Sequence, residues 1–236
     1  MKKVVAMSLA SMCIMSLTGC GNAKYNAGDS NNGNMSNIYI RDVVKTSDEA
    51  LKLLKEGNER FFGGGILDID YSSDTMGKLK EGQEPFAVVV SCSDSRVVSP
   101  YIFNQGLGDI FEVKTAGNVV DKNALGSIEY GVDKLGAKVI VVMGHEHCGA
   151  VSATVDNKKL DENSDIDSII EKIKPSVEKV KKTDTQDVLE ESVNENVRAM
   201  KDEILKNKVI KAKVDSGEVK IVTARYNLDG KIDWDI

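Results

Sequence analysis

The sequence predicts an α/β domain: a central, mainly parallel β-sheet flanked by helices, with a C-terminal strand or hairpin at the sheet edge. Three observations point there. Uncharged, valine-rich runs at Phe86–Ser91 and Val139–Gly144 read as strands buried on both faces, as in a covered parallel sheet. Segments with helical apolar spacing separate such runs, so strand and helix alternate along the chain. The closing stretch "GEVKIVTARYNLDGKIDWDI" reads as strand, tight Asp229–Gly230 turn and strand, a hairpin pattern.

Taken in order, the chain begins with Lys2 and Lys3, followed by an uncharged run from Val4 to Leu17. That run is short of the roughly 20 residues a membrane span needs and has the layout of an export leader. It ends in Leu17-Thr18-Gly19-Cys20, which resembles the lipobox of bacterial lipoproteins. The resemblance implies that residues 1–19 are a signal peptide and that Cys20 carries a lipid. The domain would then face outside the cytoplasm, lipid-anchored to the bacterial cell membrane. A plain secretory signal and a retained N-terminal membrane helix are the alternatives. "GNAKYNAGDSNNGNMSN" is rich in Gly, Asn and Ser and lacks apolar periodicity, so residues 20–45 read as a flexible tether.

The folded domain is expected over residues 46–236. Ser47 is the expected cap of a first helix with an apolar stripe at Ala50, Leu51, Leu53 and Leu54. The strand Phe86–Ser91 follows, then a short helical turn over Val98–Phe103 and a strand at Ile110–Val113. Leu125, Ile128 and Val132 carry the next helix, "AKVIVVMG" the third strand, and "CGAVSATV" another helix. Two charged helices are expected at Ile166–Lys181 and Val188–Asn207, their charges read as solvated faces without functional weight.

The 236 residues are 41% hydrophobic and 29% charged, with a formal net charge of −6, ordinary for a globular domain. An acidic chain with no basic cluster excludes nucleic acid as a partner. Of four cysteines, Cys13 falls in the leader and Cys20 at the lipobox. Cys92 and Cys148 remain in the domain, where an exported protein would ordinarily pair them as a disulfide.

Their surroundings argue for chemistry instead. Phe86–Ser91 runs into Cys92-Ser93-Asp94-Ser95-Arg96, and the third strand runs through Gly144 into His145-Glu146-His147-Cys148-Gly149. Ligands of open parallel sheets gather beyond the carboxyl ends of strands. Two sulfurs and an imidazole converging there suit zinc, and Cys148 stands at a helix start, which favours a thiolate. Each motif alone is weak: Cys92 has an inert core reading, and a His and a Cys three apart are common. Their conjunction is the stronger signal.

"CSDSRV" followed by "GHEHCGAV" resembles the beta class of carbonic anhydrases. "EGNERF", "GDIFEVKTAGNVV", "GSIEYGVDKLG" and "ARYNLDGKIDW" extend the likeness in family order from about Ser47 to the end. The resemblance implies a Zn²⁺ cofactor held by Cys92, His145 and Cys148, with Asp94 and Arg96 as the catalytic pair beside it. The implied reaction is reversible hydration of carbon dioxide to bicarbonate and a proton. In some relatives Asp94's counterpart turns onto the metal as a fourth ligand. Gln83, Phe111 and Tyr130 match the pocket residues of plant-type members, which hold bicarbonate and give carbon dioxide a dry surface. Part of that lining comes from a second subunit in relatives, implying a homodimer or higher homo-oligomer. Without the resemblance, Gln83 reads as a loop polar group, Phe111 and Tyr130 as core aromatics, and Asp94–Arg96 as a loop-fixing ion pair.

Two thiolates offset the charge of zinc, so water there is acidified less than at an all-histidine site, where its pKa is about 7. Activity is therefore expected to rise at mildly alkaline pH. Lys114 and Thr115 depart from the Arg and Asn usual in the family. His147 stands where small or polar residues are common, and reads as a proton shuttle, a competing ligand or an exposed bystander. Two other functions fit the same residues: hydrolysis of carbonyl sulfide or carbon disulfide, and a non-catalytic zinc-binding surface lipoprotein.

Overall fold

The computed structural model describes residues 38–39, 41–157 and 164–236. The expected leader, Cys20 and most of the tether lie outside the described residues. The helices are α1 (Ser47–Phe62), α2 (Ser73–Glu81), α3 (Ser99–Ile102), α4 (Lys122–Asp133), α5 (Gly149–Val155), α6 (Ile166–Val180), α7 (Val188–Ile204) and α8 (Lys208–Asp215). Two short strands, β1 (Ile38–Tyr39) and β2 (Asp68–Ile69), pair in parallel apart from the main sheet. That sheet is built from β3 (Ala87–Cys92), β4 (Ile110–Thr115), β5 (Val139–His145), β6 (Lys220–Tyr226) and β7 (Ile232–Trp234). Their order is β4-β3-β5-β6-β7, parallel throughout except the antiparallel β6–β7 hairpin at the edge. The α/β class, the parallel core and the terminal hairpin are all as the sequence predicts.

Every residue of β3 and β5 is buried, which explains why neither run carries a charge. Successive side chains point to opposite faces. Val88, Val90 and Cys92 join a core with Ile128 of α4, Val151 of α5, Ile173 of α6 and Val193 of α7. Ala87 and Val89 pack on the other side with Ala50 and Leu54 of α1. Cys92 therefore ends its strand on the face that α5, α6 and α7 cover.

The approach of α7 depends on Gly144. A Cβ there would lie 2.7 Å from Val193 and 2.8 Å from Val197, so only glycine lets the helix reach the strand end beside His145.

Local details differ from expectation. The cap of α1 is Thr46, not Ser47: its hydroxyl accepts from Glu49 N–H while the Glu49 carboxylate accepts from Thr46 N–H. That reciprocal arrangement outcompetes a lone serine one residue on. The packed unit also starts before Thr46, since Arg41 pairs with Asp109 at 2.7 Å and lies over the Phe86 ring. Helix α7 stops at Ile204, and Asn207 caps the separate helix α8 by accepting from Val209 and Ile210. Neither α8 nor α2 is expected from the sequence, because α8 buries only Ile210 and α2 buries nothing. Among the described residues no helix is long and apolar enough to cross a membrane.

Candidate metal centre

Strands β3 and β5 are neighbours, paired from Ala87↔Val139 to Ser91↔Met143. Their carboxyl ends consequently bring Cys92 and His145 side by side, and Cys148 arrives at the start of α5 three residues later. The ligand-type atoms of Cys92, His145 and Cys148 all lie within 4.8 Å of one another, and all three residues are buried. Around a tetrahedral zinc, bonds of about 2.3 Å to sulfur and about 2.0 Å to nitrogen put donors roughly 3.5–4 Å apart. The cluster needs little adjustment to fit. Both cysteines are free thiols.

Histidine 145 is set for ligation. Its Nδ1 lies 2.9 Å from the Glu146 carbonyl, so that nitrogen carries the proton and donates. Nε2 is left as an acceptor, buried and without a partner. A buried lone pair facing two sulfurs matches the donor set of a soft or borderline divalent cation, with the second nitrogen fixing the ring as metal-site histidines require.

The sulfurs are supplied with donors of their own. Gly117 N–H donates to Cys92 Sγ at 3.2 Å and Asp94 N–H at 3.4 Å. The Cys92 thiol is pushed down by its hydrogen bond with Cys148, by His145 and by these two amides, against burial. Cys148 is pushed up by the same sulfur contact and by burial. For His145, burial lowers the pKa, but the adjacent Cys92 sulfur with its charge outweighs it and the net direction is upward.

Asp94 and Arg96 stand beside the triad as a fork. Asp94 Oδ1 accepts from Arg96 N–H and Nε–H, each at 2.9 Å, and Oδ2 accepts from Nη2 at 2.8 Å. The guanidinium holds the Asp94 carboxyl well below the usual carboxylate range. Oδ2 lies 3.8 Å from His145 Nε2, next to the ligand cluster but committed to Arg96. Side chains of β4 hold the loop that carries this pair. Lys114 Nζ donates to the Val97 carbonyl, and Glu112 accepts from Ser99 N–H at 3.3 Å. Lys114 thus makes a single-point contact there, and Thr115 instead donates to the Val119 carbonyl.

Five of the expected site residues therefore come together, and three do not. Gln83 precedes β3 and lines a surface pocket of about 500 Å³ with Arg41, Lys78 and Leu107, at the opposite end of the strand from Cys92. Phe111 pairs in register with Val88, four residues from Cys92, or about 13 Å along a strand. Its ring lies 6.1 Å from that of Tyr130, whose side chain is 48% exposed. Within one chain these residues do not line the cluster. His147 lies outside it too. Its ring is exposed between Glu146 and Glu190, at 3.6 and 3.5 Å. Of the site-holding groups, sequence reasoning missed the Gly117 amide and the buried Asn196, which bonds the Gly117 carbonyl.

A parallel α/β sheet thus carries at its strand ends a buried Cys₂His cluster that could hold a metal ion, with the Asp94–Arg96 pair alongside. Residues 87–232 match the family model described as carbonic anhydrase. Carbonic anhydrase 2 of Mycobacterium tuberculosis is 40% identical over 185 residues, 76% of this chain and 88% of that protein. The carbonic anhydrase of Mycolicibacterium smegmatis is 39% identical over 192 residues, 78% and 91% of the two chains. In fold, the chain is similar to a structure from a study of two tetrameric beta-carbonic anhydrases of Sordaria macrospora. There the TM-score is 0.61 at 24% identity, covering 67% of this chain and 84% of that one. The chain belongs to the carbonic anhydrase family, with the architecture of its beta class.

Proposed function

We propose that this protein interconverts carbon dioxide and bicarbonate at a zinc site formed by Cys92, His145 and Cys148. The observation that carries the reading is the unpartnered, buried Nε2 of His145 facing the two sulfurs, beside a carboxylate that Arg96 keeps ionised. Zinc held there supplies a Lewis acid that lowers the pKa of water enough to yield a nucleophile. Asp94, charged and fixed by three Arg96 nitrogens, accepts a hydrogen bond from the attacking oxygen and aims its lone pair at the carbon. The same fork opposes rotation of Asp94 onto the metal as a fourth ligand. A non-catalytic zinc store would have no use for this oriented pair.

The pocket is completed by a second copy of the chain. Gln83, Phe111 and Tyr130 are too far along the fold to serve their own cluster, and the Phe111–Tyr130 pair sits at the free edge of β4, half exposed. An adjoining subunit that brings this edge over Cys92 would give carbon dioxide an apolar wall and bicarbonate an amide partner. The relative described as tetrameric supports an assembly of this kind.

Stopped-flow hydration of carbon dioxide by the full chain, with zinc analysis and light scattering on the same sample, tests these statements together. Turnover rising at mildly alkaline pH, one zinc per chain and a dimer or larger are expected. Turnover of carbonyl sulfide without carbon dioxide hydration would assign the site to the other reaction, and an active monomer would remove the second-copy pocket.

Cys20 is proposed to anchor the domain to the outer side of the bacterial membrane, on the strength of the lipobox-like Leu17-Thr18-Gly19-Cys20. Fractionation checks it: Cys20→Ser should leave the membrane fraction, and unchanged membrane retention would rule the anchor out.

A further inference from the structure

We propose that Asn196, on the charged helix α7, is a positioning residue for the metal centre, acting on Cys92 through the backbone of Gly117. This rests on the reading of Cys92, His145 and Cys148 as zinc ligands. Asn196 is 0% exposed, and its Nδ2 donates to the Gly117 carbonyl at 2.9 Å. The N–H of the same glycine donates to Cys92 Sγ. Two hydrogen bonds therefore connect a helix residue to a sulfur 104 positions earlier in the chain.

Glycine is what makes the connection matter. Gly117 has φ +65° and ψ 22°, a left-handed conformation that glycine can enter and leave freely. A Cβ there would lie 2.6 Å from Ile173, so the residue stays glycine and its backbone must be held by contacts rather than by a side chain. The Asn196 amide fixes the peptide on the carboxyl side of Gly117, so that the loop is held from helix α7 while the peptide on its amino side turns its N–H to the sulfur. Hydrogen bonds to a charged thiolate are among the stronger ones, and outer partners of metal ligands typically contribute 10–100-fold in metal affinity.

Asn196 occupies a place where burial alone would favour an apolar residue. It lies three residues after Val193 and four before Met200, both buried on α7, so it flanks the stripe facing the core. Its Oδ1 has no partner. A buried amide kept with one half unsatisfied carries a cost, which the held Gly117 carbonyl offsets only in part. Positioning the ligand loop gives that residue type a purpose.

Zinc affinity of the full chain, measured by competition with a chromophoric chelator, tests this. Thiolate-to-metal charge transfer in the cobalt-substituted protein gives a second readout. Asn196→Asp keeps the shape but presents oxygen to the Gly117 carbonyl, and Asn196→Ala removes the contact. Each is expected to weaken zinc binding about 10-fold or more and to shift the charge-transfer band. Asn196→Ser, which keeps a donor, provides a milder variant should the others not fold, and is expected to lose less. Ile204→Val at the far end of α7 controls for general loosening and should leave zinc affinity within twofold. Affinities equal to the parent in the folded Asn196 variants would overturn the inference, as would an equal loss in Ile204→Val. A parent chain that binds no zinc would instead overturn the metal reading beneath it.

Discussion

Cys92→Ala is expected to leave the chain folded, to abolish zinc binding and to lower kcat/KM for carbon dioxide hydration by about 10³-fold, the scale of losing a principal electrostatic contact in a transition state. The fold survives because β3 is held by its ladders to β4 and β5, and the lost sulfur leaves only a small cavity behind an intact strand. The site does not survive. Two donors remain, His145 Nε2 and the Cys148 sulfur, one short of the three that lie within 4.8 Å of one another. Cys92→Ser separates ligand chemistry from shape: a hydroxyl fills the same space but is not deprotonated as a thiol is, so zinc should be lost there as well. Metal analysis beside stopped-flow rates checks both variants. Full zinc content with the parent rate in either one would remove Cys92 from the ligand set.

Much of this centre was legible because the two motifs sit at the ends of uncharged runs. Phe86–Ser91 and Val139–Met143 announce buried strands, and a parallel sheet brings successive carboxyl ends together, so Cys92 and His145 had to be neighbours once β3 and β5 were. The pairing of Asp94 with Arg96 is made by a turn at residues 95–96, in which Val97 N–H donates to the Asp94 carbonyl and Arg96 N–H to Asp94 Oδ1. Less legible were features settled by competition between local options. Thr46 prevails over Ser47 through the reciprocal contact with Glu49. Helix α2 has no buried residue, so no apolar stripe could announce it.

Asn196 is an instructive omission. The spacing of Val193, Val197, Met200 and Ile204 marks the buried face of α7, and a polar residue beside that face was the available signal. Reading the helix as a solvated charged surface discarded it. For Gly117, what the N–H touches depends on a loop closing over a strand 25 residues earlier, which no local pattern encodes. The pocket residues illustrate a different limit. Gln83, Phe111 and Tyr130 were picked out by resemblance, and only the strand register shows that a chain cannot deliver them to its own cluster.

Asp94→Asn tests the catalytic half of the centre, and its outcome differs in kind from that of Cys92→Ala. Zinc content is expected to stay at the parent level, because Asp94 stands beside the three donors and is engaged by Arg96. The rate is expected to fall about 10²-fold, within the range of losing a positioned proton-accepting group. The amide keeps the size of the carboxylate but offers one acceptor where Arg96 binds two oxygens, and its NH₂ faces a guanidinium. Arg96→Gln approaches the same pair from the other side. The Arg96 hydrogen bond is the largest influence depressing the Asp94 pKa, so its loss returns that pKa towards the ordinary carboxylate value. A depressed folded-state pKa stabilises the fold above the unfolded-state value of about 3.9, and the contribution disappears as pH falls through the folded pKa. Arg96→Gln should accordingly lower the urea midpoint modestly at neutral pH, since the guanidinium is half exposed and screened. The gap from the parent should close in strong acid. An Asp94→Asn variant with the parent rate would reduce the fork to a loop-fixing ion pair and leave the orientation of the nucleophile to other groups, and a midpoint gap that persists unchanged in strong acid would show that Arg96 stabilises the chain by something other than the Asp94 carboxylate.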